Sequence, residues 1–212
     1  MNINNNNKII FITGGARSGK SSFAEYIVRE ISSKDSLKPA YIATAEVTDE
    51  EFQKRVNLHK KKRQDLFITY EENLNIDEII KETFSEHNLY LLECITTWLG
   101  NVFFKVPSEE REEFAFNKID LLLKIFKKDL SDINNSYDYL LEKDVNSFSD
   151  ILKSFANNKT LIVISNEIGS GIVPISIETR GFRDIHGFIN QKIARCSDMV
   201  FNVVAGIPIR IK

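Results

Sequence analysis

The sequence predicts an α/β fold in which a mainly parallel, doubly wound sheet ends in an antiparallel C-terminal edge strand. Short apolar, β-branched runs alternate with segments whose apolar residues recur at helical spacing, as in α/β proteins. A glycine-rich turn, "GGARSGKS" (14–21), separates the first apolar run from the first helical segment. The final two runs, 198–206 and 207–212, meet at Gly206 without room for a crossover, so the last strand should be antiparallel.

Up to residue 93, strand-like and helix-like segments alternate. The strand-like segments are short and apolar, which suits strands buried on both faces of a sheet: 8–13, 39–45, 66–72 and 88–93. The helix-like segments have apolar residues three or four positions apart: 21–31, 48–62 and 75–86. Thr48 and Glu51 have the spacing of a capping box, so the second helix should begin there, with Phe52, Val56 and His59 on one face.

The second half of the chain is predicted to contain a helical insertion, a strand, a helix and the terminal hairpin. Residues 108–157 are mostly helical with a loop near "DINNSYD", and about 105–158 are interpreted as an insertion between strands. "TLIVIS" (160–165) is a buried strand, and 178–196 has helical character in its second half. Residues 8–212 contain no internal repeat or linker and are predicted to form one domain, after a disordered Asn-rich tail at 1–7.

Length, charge and composition argue against several classes of function. A chain of 212 residues suits one domain with a sizeable core, and a net charge of −2 provides no basic field to attract nucleic acid. No apolar run is long enough to span a membrane, and the start "MNINNNNK" lacks the apolar stretch of a secretory signal. Cys94 and Cys196 have no metal-type spacing, and so few cysteines fit a reducing cytoplasm, the expected location.

The turn at 14–21 matches the phosphate-binding pattern G-x-x-x-x-G-K-S, placed after a buried strand and before a helix. Its glycines would let backbone N–H groups face a phosphate, and the helix N-terminus would add its dipole. Lys20 would pair with the β- and γ-phosphates, and Ser21 would bind Mg²⁺. This context argues against a glycine turn that matches by chance. The predicted nucleotide-binding residues are Gly14, Gly15, Ala16, Arg17, Ser18, Gly19, Lys20 and Ser21.

A phosphate-binding loop of this kind needs a second acidic group for the metal ion, usually at the end of a neighbouring strand. "YLLE" ends at Glu93, the predicted second Mg²⁺ ligand; the alternative is a strand-end carboxylate that binds no metal. Asn166 and Glu167 follow the strand at 160–165 and should lie at the same edge of the sheet as the loop. For each of these two residues, a turn-forming role alone is an equally good explanation.

One histidine stands beside four consecutive cations in "NLHKKKRQ" (57–64). Nearby positive charges lower the pKa of a histidine, so His59 should be mostly neutral at about pH 7, with a free lone pair. The same cations would attract phosphate, which makes His59 a possible nucleophile. Taken alone, these eight residues favour the simpler interpretation of a histidine in a solvated basic run at a helix end.

Several segments together resemble one family, the bifunctional adenosylcobinamide kinase/adenosylcobinamide-phosphate guanylyltransferases of adenosylcobalamin biosynthesis. Outside 1–7 and 105–158 they cover nearly the whole chain: "ITGGARSGKSSFAE", "YIATAEVTDEEFQKRVNLHKKKR", "LLECITTWLGN", "SNEIGSGIVP" and "FRDIHGFINQKIA…VVAGIPIRIK". The phosphate-binding loop alone is shared with many nucleotide-hydrolysing proteins. The histidine segment and the C-terminal segment, in this order, make the resemblance far more specific.

The resemblance implies a P-loop, RecA-like fold and two successive reactions. A nucleoside triphosphate, ATP or GTP, phosphorylates the aminopropanol hydroxyl of adenosylcobinamide. GTP then transfers GMP to a histidine, and adenosylcobinamide phosphate attacks that intermediate to give adenosylcobinamide-GDP. His59 matches the family's guanylylated histidine, so His59 and Lys20 are the expected catalytic residues, with Mg²⁺ as cofactor. Arg63 and Glu71 are also expected to bind nucleotide, and a homotrimer is the expected assembly.

The chain departs from the family pattern at several positions. Phe188 stands where members often have arginine, His186 replaces a small residue, and Leu58 stands where some members have a second histidine. Because His186 also lies in a matched segment, it is the next candidate nucleophile if His59 is not the reactive residue.

Three other functions stay open at this point. A kinase of another small molecule would use the P-loop and Glu93 equally well, but it leaves the segment around His59 without a purpose. A non-catalytic nucleotide-binding regulator would show no turnover. A nucleic-acid-dependent ATPase would show salt-dependent binding to DNA or RNA. The sequence also leaves open the choice between ATP and GTP as phosphoryl donor and the residues of the corrinoid pocket.

Overall fold

The computed structural model describes residues 7–32, 37–46, 66–127, 148–155 and 158–212. Seven strands occur in these ranges: Lys8–Gly14 (β1), Ala40–Ala43 (β2), Ile68–Glu71 (β3), Leu89–Glu93 (β4), Thr160–Ile164 (β5), Met199–Val204 (β6) and Ile207–Arg210 (β7). Six helices accompany them: Lys20–Ser32 (α1), Ile76–Glu82 (α2), Ile95–Lys105 (α3), Arg111–Phe126 (α4), Phe148–Phe155 (α5) and Ile177–Cys196 (α6). None of these helices is long and apolar enough to cross a membrane.

Some predicted features fall outside the described residues. These are the helix at 48–62, the loop near "DINNSYD" and residues 1–6 of the Asn-rich tail. Asn7, the last residue of that predicted tail, is buried, and its carbonyl oxygen accepts a hydrogen bond from Lys127 Nζ at 3.0 Å. Asn7 is therefore packed against the rest of the described structure.

The strands form one sheet in the order β3-β2-β4-β5-β1-β6-β7. Every pairing is parallel except the one between β6 and β7. Only Ala205 and Gly206 join these two strands, and both have positive φ (50° and 83°), the backbone of a tight hairpin turn. The predicted mainly parallel sheet with an antiparallel C-terminal edge strand is confirmed.

Successive side chains of the strands alternate between two cores, one on each face of the sheet. In β1, Ile9 and Phe11 pack in the core that also contains side chains of α2, α3, α4 and α6. Ile10 and Ile12 pack in the opposite core with side chains of α1 and α5. Helices therefore cover both faces, which explains why the central strands are almost wholly apolar.

The region predicted as an insertion contributes directly to one of these cores. Ala115, Ile119 and Leu122 of α4 are fully buried in the core that contains α2. On the same helix, Lys118 Nζ lies 3.1 Å from Asp77 Oδ1 and 2.8 Å from Glu78 Oε1 of α2. Through α4, the predicted insertion is thus a structural part of the layer that covers the sheet.

Two helices differ from the sequence prediction. No element is predicted for α3, although Ile95, Trp98, Leu99 and Val102 have the spacing of one helical face and are fully buried. α6 spans Ile177–Cys196, whereas the sequence predicts a helix only in the second half of this stretch. The first turn of α6 is exposed to solvent, so it lacks the apolar periodicity on which that prediction depends.

Replacing Phe188 by arginine should leave the stability of the fold nearly unchanged. Phe188 is 56% exposed on α6, whereas its neighbour Ile189 is fully buried. A surface substitution of this kind changes the free energy of unfolding by about 0.5 kcal/mol or less. Ile189→Arg is the matched control and should be strongly destabilising, because it would bury an unpaired charge. Urea unfolding compares the two variants, and a similar loss in Phe188→Arg would contradict the exposed position.

Candidate active site

The parallel strands place several polar residues at one edge of the sheet, where their carboxyl ends meet. Gly14 ends β1, Glu93 ends β4, and Ser165 follows β5 between them in the sheet order. Thr44 follows β2 at the same edge, where its hydroxyl accepts a hydrogen bond from the Cys94 N–H at 2.8 Å. In open α/β sheets this edge is where ligands bind.

The loop at 14–21 needs glycine at two positions because it packs closely against the C-terminal hairpin. Gly14 has φ of 147°, and a Cβ placed there would lie 2.4 Å from the carbonyl oxygen of Val203 in β6. Gly19 has φ of 101°, and its Cβ would lie 3.2 Å from Gly206 Cα in the hairpin turn. A side chain at either position would therefore displace the loop from β6 and β7.

Neighbouring backbone groups hold this loop at both ends. The Gly206 N–H donates to the carbonyl oxygen of Ser18 at 2.8 Å, and the Glu167 N–H donates to the carbonyl oxygen of Gly14 at 2.9 Å. Ser18 Oγ is buried and has no hydrogen-bond partner among the described residues. A buried hydroxyl without a partner is rare in folded proteins, and here it belongs to a loop with phosphate-binding spacing.

Lys20 is directed into the loop rather than toward solvent. The side chain is 7% exposed, and Nζ donates to the carbonyl oxygens of Gly14 at 2.9 Å and Gly15 at 2.6 Å. Burial lowers the pKa of Lys20, while the nearby Cys94 and Glu93 act in the opposite direction. Among the described residues, the hydrogen-bond partners of the ammonium group are thus neutral oxygens, in the place where phosphate oxygens would bind.

Glu93 meets the loop through Ser21. Ser21 Oγ donates to Glu93 Oε1 at 2.5 Å, and Tyr41 Oη donates to Glu93 Oε2 at 2.7 Å. The sequence places Glu93 on a strand next to β1, and this is wrong, because β5 lies between β4 and β1. The two residues nevertheless meet, since Ser21 lies in the first turn of α1 and reaches past the end of β5.

The pair of Ser21 and Glu93 has the chemistry of a Mg²⁺ site. Both contribute oxygen atoms, which this cation prefers, and Mg²⁺ usually takes only one or two protein ligands, with phosphate oxygens and water completing its shell. Within the described ranges, no group of three or more His, Cys, Asp or Glu residues could hold a metal ion by itself. The residues therefore fit a magnesium ion that arrives with a nucleotide.

Of the other predicted site residues, Glu71 is distant from the P-loop, and two lie outside the described residues. Glu71 is the last residue of β3, at the far edge of the sheet, and β2, β4 and β5 lie between β3 and β1. At normal strand spacing, the distance between β3 and β1 is about 19 Å. That distance suits contact with another part of a nucleotide better than contact with the same phosphates. His59 and Arg63 lie outside the described residues. Ala16 and Arg17 form the exposed tip of the loop.

His186 is buried, so it is wrong as the alternative nucleophile. It is 1% exposed, and its Nε2 lies 3.0 Å from both Thr96 Oγ1 and Ser165 Oγ. Burial lowers the pKa of His186 to about 4, although Glu167 acts to raise it. A ring enclosed in this way has no access to a nucleotide phosphorus atom.

Sequence reasoning missed Tyr41, which holds the carboxylate of Glu93. Its only sequence signal is membership of an apolar strand, because the contact depends on the register of β2 against β4, in which Tyr41 lies opposite Leu91. It also gave no role to Thr96, which lies in the unpredicted α3. A helix predicted for 95–105 would have placed this hydroxyl at the same edge as Glu93.

Comparison with known proteins finds a matching family model and several similar relatives. A family model described as "Cobinamide kinase / cobinamide phosphate guanyltransferase" matches residues 10–211. The bifunctional adenosylcobalamin biosynthesis protein CobU of Escherichia coli is 31% identical over 207 residues, 96% of this chain and 99% of that protein. The protein of the same name from Salmonella typhimurium is 32% identical with the same coverage. Among solved structures, KaiC-like protein PH0186 from Pyrococcus horikoshii is 12% identical, with a TM-score of 0.42, over 92% of this chain and 70% of its own.

Replacing Lys20 by alanine should weaken the binding of ATP and GTP and slow any reaction of the bound triphosphate. The lost charge-assisted contact corresponds to about 1.5–3 kcal/mol, or roughly 10- to 150-fold in affinity. Calorimetric titration of each nucleotide measures this change. Lys124→Ala, at an exposed position of α4, is the control and should bind normally. Unchanged affinity in Lys20→Ala would show that the P-loop assignment is wrong.

Replacing Glu93 by glutamine should move the Mg²⁺ dependence of activity to higher concentrations without unfolding the protein. The amide keeps an oxygen for Ser21 but loses the negative charge, and a loss of about 1.4 kcal/mol would shift the midpoint about tenfold. Glu82→Gln, at an exposed end of α2, is the control. If the Mg²⁺ titration of Glu93→Gln coincides with that of the wild type, Glu93 is not a metal ligand.

Proposed function

Because the chain belongs to the cobinamide kinase / cobinamide phosphate guanyltransferase family, we propose that it phosphorylates adenosylcobinamide and then converts the product to adenosylcobinamide-GDP. The match over residues 10–211, which includes the P-loop and its approach to Glu93, is the observation that most supports this function. The kinase and guanylyltransferase activities share one requirement, the binding of a nucleoside triphosphate. Residues 14–21 supply the groups for that step.

In the kinase reaction, the described residues hold the triphosphate and reduce its negative charge. Lys20 would leave the carbonyl oxygens of Gly14 and Gly15 for phosphate oxygens, exchanging neutral acceptors for charged ones, which bind an ammonium group more strongly. Loop N–H groups and the start of α1 would stabilise the same phosphates. Ser21 and Glu93 would hold Mg²⁺, which neutralises charge on the β- and γ-phosphates. The aminopropanol hydroxyl of the corrinoid then attacks the γ-phosphorus as the nucleoside diphosphate leaves.

In the guanylyltransferase reaction, we propose His59 as the nucleophile. A ring nitrogen of His59 attacks the α-phosphorus of GTP, pyrophosphate leaves, and a guanylyl-histidine forms. A phosphate oxygen of adenosylcobinamide phosphate then attacks the same phosphorus and releases the histidine. Of the three histidines, His87 and His186 are each 1% exposed, which favours His59 as the histidine that meets substrate. The cations at 60–63 would keep His59 neutral and attract the phosphates.

The remaining properties are proposed on the same basis. We expect either ATP or GTP to serve as phosphoryl donor, a homotrimer as the assembly, the cytoplasm as the location and no nucleic acid as a partner, because the net charge is only −2. A P-loop kinase of another small molecule, or a non-catalytic nucleotide-binding regulator, is the alternative. Neither of these uses the histidine segment, so covalent labelling of the protein by GTP separates both from the proposed function.

His59→Ala should lose guanylyl transfer and retain substantial kinase activity. Phosphoryl transfer to a hydroxyl requires positioning and charge neutralisation but no covalent enzyme intermediate. The wild-type protein should take up label from α-labelled GTP and not from γ-labelled GTP, and the bond should be labile to acid and stable to alkali, as a phosphoramidate is. Denaturation after incubation, followed by detection of protein-bound label, is the measurement.

Two results would contradict this assignment. Normal labelling of His59→Ala would place the nucleophile elsewhere in the chain. Absence of label in the wild-type protein, with intact phosphorylation of adenosylcobinamide, would reduce the function to that of a kinase. Neutralising several of the cations at 60–63 should slow labelling most at mildly acidic pH, because the pKa of His59 would rise toward its ordinary value.

A further inference from the structure

A cluster of buried polar side chains lies behind the start of the loop between β5 and α6. This His186 cluster consists of Thr96 at the start of α3, Ser165 after β5, and His186 and Asn190 on α6. His186 Nε2 lies 3.0 Å from Thr96 Oγ1 and 3.0 Å from Ser165 Oγ, and Ser165 Oγ donates to Asn190 Oδ1 at 2.7 Å. Ser165 is fully buried, and His186 is 1% exposed. The reactions proposed above give these side chains no task.

Hydrogen-bond requirements in the His186 cluster fix the tautomer of the histidine. Because Ser165 gives its only hydrogen to Asn190 Oδ1, Ser165 Oγ must accept from His186 Nε2–H, and Thr96 Oγ1 at 3.0 Å shares that hydrogen. Asn190 Nδ2 lies 3.5 Å from His186 Nδ1 and can donate to it, while it also donates to the Asn166 carbonyl oxygen at 3.1 Å. The histidine is thus neutral, with its proton on Nε2. If Nδ1 carried a proton, its N–H and the Asn190 Nδ2–H would face each other as two donors with no acceptor between them.

The cluster holds both backbone groups of Asn166, the second residue after β5. The Asn166 N–H donates to Thr96 Oγ1 at 3.0 Å, and the Asn166 carbonyl oxygen accepts from Asn190 Nδ2. The next residue, Glu167, donates its N–H to the carbonyl oxygen of Gly14 at 2.9 Å. Asn166 is therefore the one residue between Ser165 of the cluster and Glu167, which is hydrogen-bonded to the P-loop.

We propose that His186 is a positioning residue for nucleotide binding, which keeps Glu167 hydrogen-bonded to Gly14 through Thr96, Ser165 and Asn190. The proposal rests on the proposed function only in requiring that the P-loop bind a nucleoside triphosphate. His186 itself touches no phosphate. It keeps the β5–α6 loop in the one conformation that supports the first residue of the P-loop.

The hydrogen bond from the Glu167 N–H to the Gly14 carbonyl oxygen matters most when phosphate binds. The Gly14 carbonyl oxygen accepts from both Lys20 Nζ and the Glu167 N–H, at 2.9 Å each. Lys20 must leave this oxygen to contact phosphate, and the Glu167 N–H then remains as its donor. If the loop after β5 were free to move, part of the binding free energy would be spent on ordering it together with the P-loop.

The test compares two buried histidines at opposite edges of the sheet. His186→Leu removes the central donor of the cluster. His87→Leu is the matched control, because His87 is also 1% exposed and hydrogen-bonded, with Nε2 2.8 Å from Tyr70 Oη and Nδ1 2.7 Å from the Lys38 carbonyl oxygen. His87 precedes β4, so it lies at the amino edge of the sheet, away from the P-loop.

Both substitutions should lower the melting temperature, but only His186→Leu should affect the P-loop. We expect it to bind a non-hydrolysable ATP analogue with Mg²⁺ about tenfold more weakly, the upper range for one lost hydrogen bond. Hydrogen exchange in peptides that cover 165–171 should be faster in His186→Leu than in His87→Leu. His186→Gln retains an N–H donor for Ser165 and Thr96 and should recover most of the affinity.

Equal affinity of the two leucine variants for the analogue, or equal exchange in 165–171, would overturn the proposal. Wild-type protein that fails to bind the analogue would instead overturn the proposed function, so the two failures are distinguishable. If His186→Leu does not fold, Thr96→Val takes its place, because it removes one hydroxyl at nearly constant shape. Thr96→Val should show the same weaker binding and faster exchange, and wild-type values in both measurements would overturn the proposal.

Discussion

The close contact between Gly14 and β6 is the constraint on which the phosphate-binding edge of this protein depends. The carbonyl oxygen of Val203 lies where it would be 2.4 Å from a Cβ of residue 14, so only glycine allows β1 and β6 to continue side by side into the loop. In this position the carbonyl oxygen of Gly14 faces Lys20 Nζ and the Glu167 N–H. One backbone oxygen thus joins the P-loop, its lysine and the loop that follows β5.

The electrostatics of the site follow from this packing. Lys20 is buried beside two neutral carbonyl oxygens, and burial lowers its pKa. An anion that replaces those carbonyl partners would form charge-assisted hydrogen bonds in a region from which water is largely excluded, where such bonds are strong. Ser21 and Tyr41 hold the carboxylate of Glu93 in a fixed orientation nearby. The carboxylate is therefore oriented before a nucleotide binds, whereas Lys20 must exchange its carbonyl partners for phosphate oxygens.

The two described histidines illustrate how burial separates structural from reactive imidazoles. His87 is enclosed by Tyr70, Tyr90 and the Lys38 carbonyl oxygen at the amino edge of the sheet. His186 is enclosed by hydroxyl and amide groups at the carboxyl edge. In both cases the ring nitrogens are occupied by protein groups, which suits a role in holding secondary structures together. A histidine that reacts with a nucleotide needs a free lone pair and access to substrate.

The sequence by itself determined the features that depend on local pattern. Apolar runs and helical periodicity located the described strands and most of the helices, the spacing of Gly14, Gly19 and Lys20 identified the P-loop, and the short connection at Gly206 required an antiparallel last strand. The order of the quoted segments identified the family. α3 also has a readable pattern, since Ile95, Trp98, Leu99 and Val102 share one helical face, although no helix is predicted there.

Only the tertiary structure decided which of these residues meet. Strand order is set by how helices pack across both faces of the sheet, and no local window of sequence contains it. For this reason the sequence could not show that β5 separates β4 from β1, or that Glu71 ends at the far edge. The pairing of Tyr41 with Glu93 and the enclosure of His186 likewise depend on register and on helix packing. The residue type of a side chain determines its chemistry, whereas its contacts depend on residues that are distant in the chain.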